Sequence, residues 1–195
     1  MKKLIGTILA LLFFANVYSQ KVKNPVVLIE TRFGNIKVEL YKDKAPISVN
    51  NFLKYVDKGL YKNSSFYRTV KMDNQPNNKI KIEVIQGGLG DNPAAVGLPP
   101  IKHESTKETR ILHRDGVISY ARNAPGTESS EFFICIGDQP KLNYGGMRNP
   151  DGQGFAAFGR VIKGMNIVRK IQLQPSVGQA LKPAIKIYNI VRAKQ

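Results

Sequence analysis

Arg68 stands in the run Phe66-Tyr67-Arg68-Thr69-Val70. In an extended strand side chains alternate, so it would share a face with Phe66 and Val70. A charge among apolar neighbours must be balanced by a partner or kept for use. What a guanidinium offers is a permanent positive charge on a planar fork of donors. Taken alone, the position also suits an arginine at an exposed strand rim, paired with a structural carboxylate. A second polar group, Gln86, closes the run 80–86 just before Gly87-Gly88. Alternation places it with Ile80, Ile82 and Val84 and sets Glu83 opposite, as a solvated partner of Lys81. Gln86 reads equally well as an ordinary polar strand end. In Phe132-Phe133-Ile134-Cys135-Ile136, Phe133 points away from Phe132, Ile134 and Ile136, so one of the two faces is core and the other is free to face outward. By type alone Phe133 is a core residue.

Other chemistries find no footing. Gly87-Gly88-Leu89-Gly90 lacks the Lys and Ser/Thr of a phosphate loop and reads as a turn. Ser129-Ser130 lies in no Gly-x-Ser-x-Gly elbow and has no histidine placed beside it, which argues against a hydrolase. His103 and His113, without cysteine partners, fall short of a metal-ligand pattern. The single cysteine, Cys135, fits a buried strand and leaves the core without crosslinks.

The elements that must hold these residues are mostly strands. Runs 26–31 and 35–40, split by Arg32-Phe33-Gly34, predict a hairpin. Pro46 starts a helix whose apolar positions Val49, Phe52, Leu53, Val56 and Leu60 recur at three-four spacing until Gly59 ends it. Strands are predicted again over 65–70, 80–86, 116–121, 132–136, 155–162 and 184–191, with a short helix over 165–171. About eight strands and two helices, broken by Gly, Pro and Asn clusters, predict a mostly β fold, a closed or nearly closed antiparallel barrel with helices at its ends. Long surface loops over 71–79, 87–115 and 138–154 are where binding is built.

The chain of 195 residues opens on Lys2 and Lys3 and an apolar run from Leu4 to Val17, the order of a secretory signal peptide cleaved after Ser19. Residues 1–19 are therefore expected to be a leader and residues 20–195 one domain, exported to a periplasm or secreted. The leader is too short for a stable membrane anchor, and no cysteine near it offers a lipid attachment. The formal charge of +16 is spread along the chain without a block of like charges, which speaks against nucleic acid as a partner.

Four segments, taken in order, carry a resemblance. They are Phe66-Tyr67-Arg68-Thr69-Val70, Ile85-Gln86-Gly87-Gly88, the stretch from Gly116 through Ala121-Arg122 to Glu131-Phe132-Phe133-Ile134, and Phe155-Ala156-Ala157-Phe158-Gly159-Arg160-Val161. With Ala45-Pro46 and Asn51-Phe52 ahead of them, they resemble the cyclophilin family of peptidyl-prolyl cis-trans isomerases across nearly the whole mature chain. The loop Leu142-Asn143-Tyr144-Gly145-Gly146 followed by Asn149-Pro150-Asp151-Gly152-Gln153-Gly154 is similar to the bacterial branch.

The resemblance implies a closed eight-stranded antiparallel barrel capped by two helices, with a substrate groove on its outside and neither metal nor cofactor. It implies catalytic roles for Arg68 and Gln86, and a proline slot lined by Phe133, Leu142, Phe155 and Val84. Ala121, Arg122 and Asn123 would pair with the substrate backbone through main-chain groups. Lys141 stands where many members carry a tryptophan or another aromatic, and Glu83 where they carry a pocket aromatic. Proline-containing polypeptides are the implied partners, met by a monomer. The alternative class is a low-turnover chaperone or scaffold module that holds proline segments.

Overall fold

In residues 26–40 polar and apolar side chains alternate, so each strand has one face to pack against a core and a main chain whose N–H and C=O groups must pair with a neighbour. The computed structural model, which describes residues 23–90 and 97–194, forms that pair as an antiparallel hairpin of β1 (Val26–Thr31) and β2 (Gly34–Leu40). Val27, Ile29, Ile36, Val38 and Leu40 are fully buried on its inner face. The expected leader, residues 1–19, lies outside the described residues.

Pro46 then opens α1 (Pro46–Asp57), whose buried face is Val49, Phe52, Leu53 and Val56, as the spacing predicts. The residue before it, Ala45, has no side chain to cap the free amides. The Glu104 carboxylate does so instead, accepting from the Ile47 and Ser48 amides at 3.1 and 2.7 Å. An anion there also suits the positive end of the helix dipole.

The remaining strands are β3 (Ser65–Val70), β4 (Val84–Gly88), β5 (Val117–Tyr120), β6 (Phe132–Cys135), β7 (Ala157–Lys163), β8 (Ser176–Val177) and β9 (Ala180–Arg192). They pair antiparallel in the order β1-β2-β7-β5-β6-β4-β3-β9, and β9 returns to β1, so eight strands close a barrel. The two-residue β8 sits outside the ring, paired with β9 alone. Besides α1, the helices are α3 (Met165–Gln172), near its expected span, and the four-residue α2 (Thr106–Thr109), inside a stretch expected to be loop. Among the described residues no helix is long and apolar enough to cross a membrane.

The interior is one apolar cluster in which Phe52, Phe66, Phe132 and Phe158 meet side chains from both α1 and α3. Phe132 meets Phe52, Tyr61 and Phe66 edge-on at 5.6 to 5.8 Å. Six further buried residues, Val70, Ile82, Val84, Phe133, Cys135 and Leu142, form a second, separate cluster. Strand alternation on β6 divides the two: Phe132 and Ile134 point inward, Phe133 and Cys135 outward.

Three expectations are corrected. The strand expected from residue 80 begins at Val84, because Ile82 has its main chain satisfied by a side chain from the preceding loop. Gln75 Nε2 donates to the Ile82 carbonyl at 2.8 Å, and Gln75 Oε1 accepts from the Ile82 amide at 3.3 Å. Glu83 bonds Gln172 Nε2 at 3.2 Å, while Lys81 donates to the Met72 carbonyl, so the expected Lys81–Glu83 pair does not form. Arg68 does not share a side with Phe66. A bulge between them shifts the register against both β4 and β9, leaving Phe66 in the interior while Arg68 and Val70 face the second cluster.

Candidate active site

The second cluster floors a groove of about 390 Å³ on the outside of the barrel. All nine residues expected in a site line it: Arg68, Gln86, Val84, Ala121, Arg122, Asn123, Phe133, Leu142 and Phe155. Ile82, Thr127, Ser129, Glu131 and Arg148 also line it; of these only Ile82 is expected there, since strand alternation puts it on the face of Val84 and Gln86. Lys141 is exposed and outside the lining, and Glu83 opens to a different hollow beside Gln172 and Leu173.

Arg68 is half-buried, and its fork is held by neutral carbonyl oxygens only. Nε and Nη2 donate to Gln179 Oε1 at 2.9 and 2.6 Å, and Nη1 donates to Gln86 Oε1 at 2.7 Å. Of five N–H groups this leaves one on each terminal nitrogen. Among the described residues no carboxylate pairs with it, which removes the reading of Arg68 as a structural ion-pair residue. Burial lowers the pKa of the guanidinium, from so high a starting value that it stays a cation at neutral pH. A second cation lines the same groove: Arg148, whose pKa is lowered by burial and by Arg68, is tied back to the Ile80 carbonyl.

The floor beside this charge is apolar. Phe133, only 4% exposed, meets Phe155 edge-on at 5.5 Å. Behind Phe133 lies His113, its ring parallel within 18° at 5.9 Å. The His113 amide and Nδ1 both donate to Asn143 Oδ1 at 2.9 Å, and Nε2 accepts from Ser119 Oγ at 2.9 Å, an arrangement that suits the neutral ring. Burial pushes its pKa down to about 4.

Between the unfolded histidine value of about 6.5 and that folded value, the unfolded chain binds a proton that the folded chain refuses. Stability should therefore fall as pH drops through this window, by roughly 3 kcal/mol at most. His103 acts elsewhere on the scale. Burial alone would lower its pKa, but the hydrogen bond and charge of Glu128 outweigh burial and raise it. Its contribution is full below the unfolded value and is lost only as pH climbs through the raised one. Urea unfolding at pH 7 and pH 4.5 should show the loss in the parent chain and a markedly smaller one in His113→Asn. Equal losses would overturn the assignment.

The edge segment 121–123 borders the groove. The Ala121 amide is taken by the Glu131 carbonyl at 2.8 Å and the Asn123 amide by Thr127 Oγ1 at 3.1 Å. Between them, the Arg122 amide has no protein partner among the described residues, so of the three amides bordering the groove it is the one left to bond a ligand. Its side chain turns away to clamp the 149–155 loop. It pairs with both Asp151 oxygens at 2.7 and 2.9 Å, donates through Nε to the Gly154 carbonyl at 2.8 Å, and lies 5.1 Å from the centre of the Phe155 ring. Arg122 thereby fixes one wall of the groove, a role its sequence position did not disclose. Helix α1 and the turn that follows it secure another: Asn51 Nδ2 of the helix donates to the Ser129 carbonyl at 2.8 Å and the Tyr61 hydroxyl of the turn to the Ser130 carbonyl at 2.9 Å, which pins the approach to Glu131. Among the described residues no cluster of ligands for a metal ion occurs.

Residues 26–192 match the family model described as cyclophilin type peptidyl-prolyl cis-trans isomerase/CLD. A peptidyl-prolyl cis-trans isomerase of Acinetobacter baylyi is 33% identical over 161 residues, covering 82% of this chain and 78% of the relative. Peptidyl-prolyl cis-trans isomerase A of Dickeya dadantii is 34% identical over 170 residues, 86% of this chain and 80% of that one. Among solved structures, a cyclophilin type peptidyl-prolyl cis-trans isomerase of Cryptosporidium parvum superposes with a TM-score of 0.71 at 25% identity, covering 88% of this chain and 99% of its own. The same protein solved in the presence of the dipeptide ala-pro gives 0.70 at 26% identity, with 87% and 99% covered.

Proposed function

The chain belongs to the cyclophilin-type peptidyl-prolyl cis-trans isomerase family, and from that premise we propose that its outer groove rotates X-Pro bonds in exported, partly folded chains, with Arg68 as the electrostatic catalyst. It is a peptidyl-prolyl cis-trans isomerase. Rotation about a peptide bond meets a barrier of about 18 to 20 kcal/mol because the nitrogen lone pair is shared with the carbonyl, and only X-Pro bonds populate cis appreciably. At the twisted midpoint the lone pair returns to the prolyl nitrogen. A donor aimed there bonds more strongly to the transition state than to either planar isomer, which is the condition for acceleration.

The observation that carries this reading is the uncompensated Arg68 fork beside the Phe133 floor: two N–H groups remain unspent next to a slot suited to a proline ring. Gln86 steadies the fork, Phe133, Leu142, Phe155 and Val84 hold the ring, and the Arg122 amide takes a substrate carbonyl. The leader-like residues 1–19 support export, where X-Pro exchange on a scale of tens of seconds limits folding. A protease-coupled assay with an Ala-Pro peptide should show acceleration proportional to enzyme. Peptide binding without acceleration would favour a holding module instead. The exported chain should begin at Gln20 by N-terminal sequencing, and recovery of a product that still starts at Met1 would overturn the leader.

A further inference from the structure

Gln86 is the middle of a longer chain of hydrogen bonds. Its Oε1 accepts from Arg68 Nη1 at 2.7 Å, and its Nε2 donates to the Tyr67 hydroxyl at 2.8 Å. That hydroxyl donates to Glu131 Oε2 at 2.5 Å. The other carboxylate oxygen accepts from Ser130 Oγ at 2.9 Å and from the Gly90 amide at 3.1 Å. Every donor in the run from Arg68 to Glu131 points the same way, from a cation without an anion partner to a carboxylate without a cation partner among the described residues.

Direction matters because the two ends of an amide have nearly the same shape and opposite bonding character. Tyr67 has one proton. Given to Glu131, it leaves the phenol oxygen as an acceptor only, so Gln86 must turn its nitrogen to Tyr67 and its carbonyl to Arg68. Were Tyr67 to donate to Gln86 instead, the amide would reverse and set donor against donor at the guanidinium. An ionised carboxylate, which can only accept, forbids that reversal. Burial, together with the charge and hydrogen bond of Glu131, raises the Tyr67 pKa, so the proton is present to be donated. Tyr67 does not line the groove, and its ring lies against the Gly90 turn. The carboxylate fits only because position 88 is glycine: its φ is +147°, and a Cβ there would fall 2.6 Å from Glu131 Oε2.

We propose that Tyr67 and Glu131 are positioning residues, which together fix the direction of the Gln86 amide and, through it, the aim of the Arg68 fork. The inference rests on Arg68 and Gln86 acting in the groove as read above. Glu131→Ala should lower kcat about tenfold with KM within about twofold, and Tyr67→Phe should lower kcat about threefold, the size expected of single hydrogen bonds. With Glu131 gone, the Tyr67 proton is free to reverse Gln86, so removing the hydroxyl as well should restore activity: Tyr67→Phe/Glu131→Ala should turn over about threefold faster than Glu131→Ala alone. Glu131→Gln, which keeps an acceptor, should stay within about threefold of the parent.

NMR exchange on an Ala-Pro peptide under saturating and sub-saturating conditions separates kcat from KM, and thermal melting checks the fold. Should Glu131→Ala not fold, Tyr67→Phe in a Gln86→Ala background decides: no added effect supports action through Gln86, and an undiminished threefold loss overturns it. Single variants indistinguishable from the parent, losses confined to KM, or a double variant slower than either single one would also overturn the inference. A parent chain without activity in the same assay would instead remove the isomerase reading itself.

Discussion

Arg68→Ala is expected to lower kcat/KM toward an Ala-Pro peptide by about 100- to 1000-fold, the loss typical of removing one donor aimed at developing charge. The size of the effect follows from how the guanidinium is held. Three of its N–H groups are spent on the carbonyls of Gln86 and Gln179, which fix its orientation without neutralising it. A carboxylate at the same distance would have damped the field just where the prolyl nitrogen must pass. Arg148 on the same groove adds positive potential.

Arg68→Lys should recover less than a tenth of the lost activity, since an ammonium keeps the charge but not the fork that engages both glutamines. Because Arg68 lies outside the interior cluster, the melting temperature of Arg68→Ala should stay within a few degrees of the parent. Unchanged turnover in a folded Arg68→Ala would remove it from the mechanism.

How far the sequence discloses this site depends on whether the signal is local. Alternation and the three-four spacing of α1 are properties of neighbouring residues, and the β1–β2 hairpin and the helix appear where they are expected. Phe133 and Cys135 separate from Phe132 and Ile134 by the same rule. The failures come from side-chain contacts that neither alternation nor helical spacing encodes. Gln75 takes over the main chain of Ile82 and delays β4, and Glu104 caps α1 from more than fifty residues away. Gln179, which grips Arg68, stands 111 residues from it in a turn without periodicity. The bulge at Phe66 and Arg68 defeats simple alternation by one residue, so Arg68 lines the groove instead of sharing a side with Phe66. The family resemblance compensated for much of this, since it carried all nine expected residues to one groove. It had nothing to say of Tyr67 paired with Glu131.

Phe133 poses the second large test, because it belongs both to the folded core and to the ligand slot. It is buried against Phe155 and His113 and shares its cluster with Val70, Ile82, Val84, Cys135 and Leu142. Phe133→Ala should therefore cost about 3 to 4 kcal/mol of stability, as a large buried aromatic does when it leaves a cavity. For a chain of this size that is a fall of roughly 10 °C in melting temperature. The same variant should lose at least about tenfold in kcat/KM, as an apolar pocket does when its contacts with a ring are removed.

The two losses have different origins, and Phe133→Leu separates them. Leucine retains most of the buried volume, so stability should drop by less than about 1.5 kcal/mol. It lacks the flat face on which a pyrrolidine ring can rest, so KM should rise several-fold while kcat, set by the charge and aim of the Arg68 fork, changes little. If Phe133→Leu lowered kcat as much as it raised KM, the ring would be acting on the aim of Arg68, and slot and charge would have to be treated as one unit. If it changed neither, the proline ring would lie elsewhere in the groove, against Phe155 and Leu142 of the same cluster.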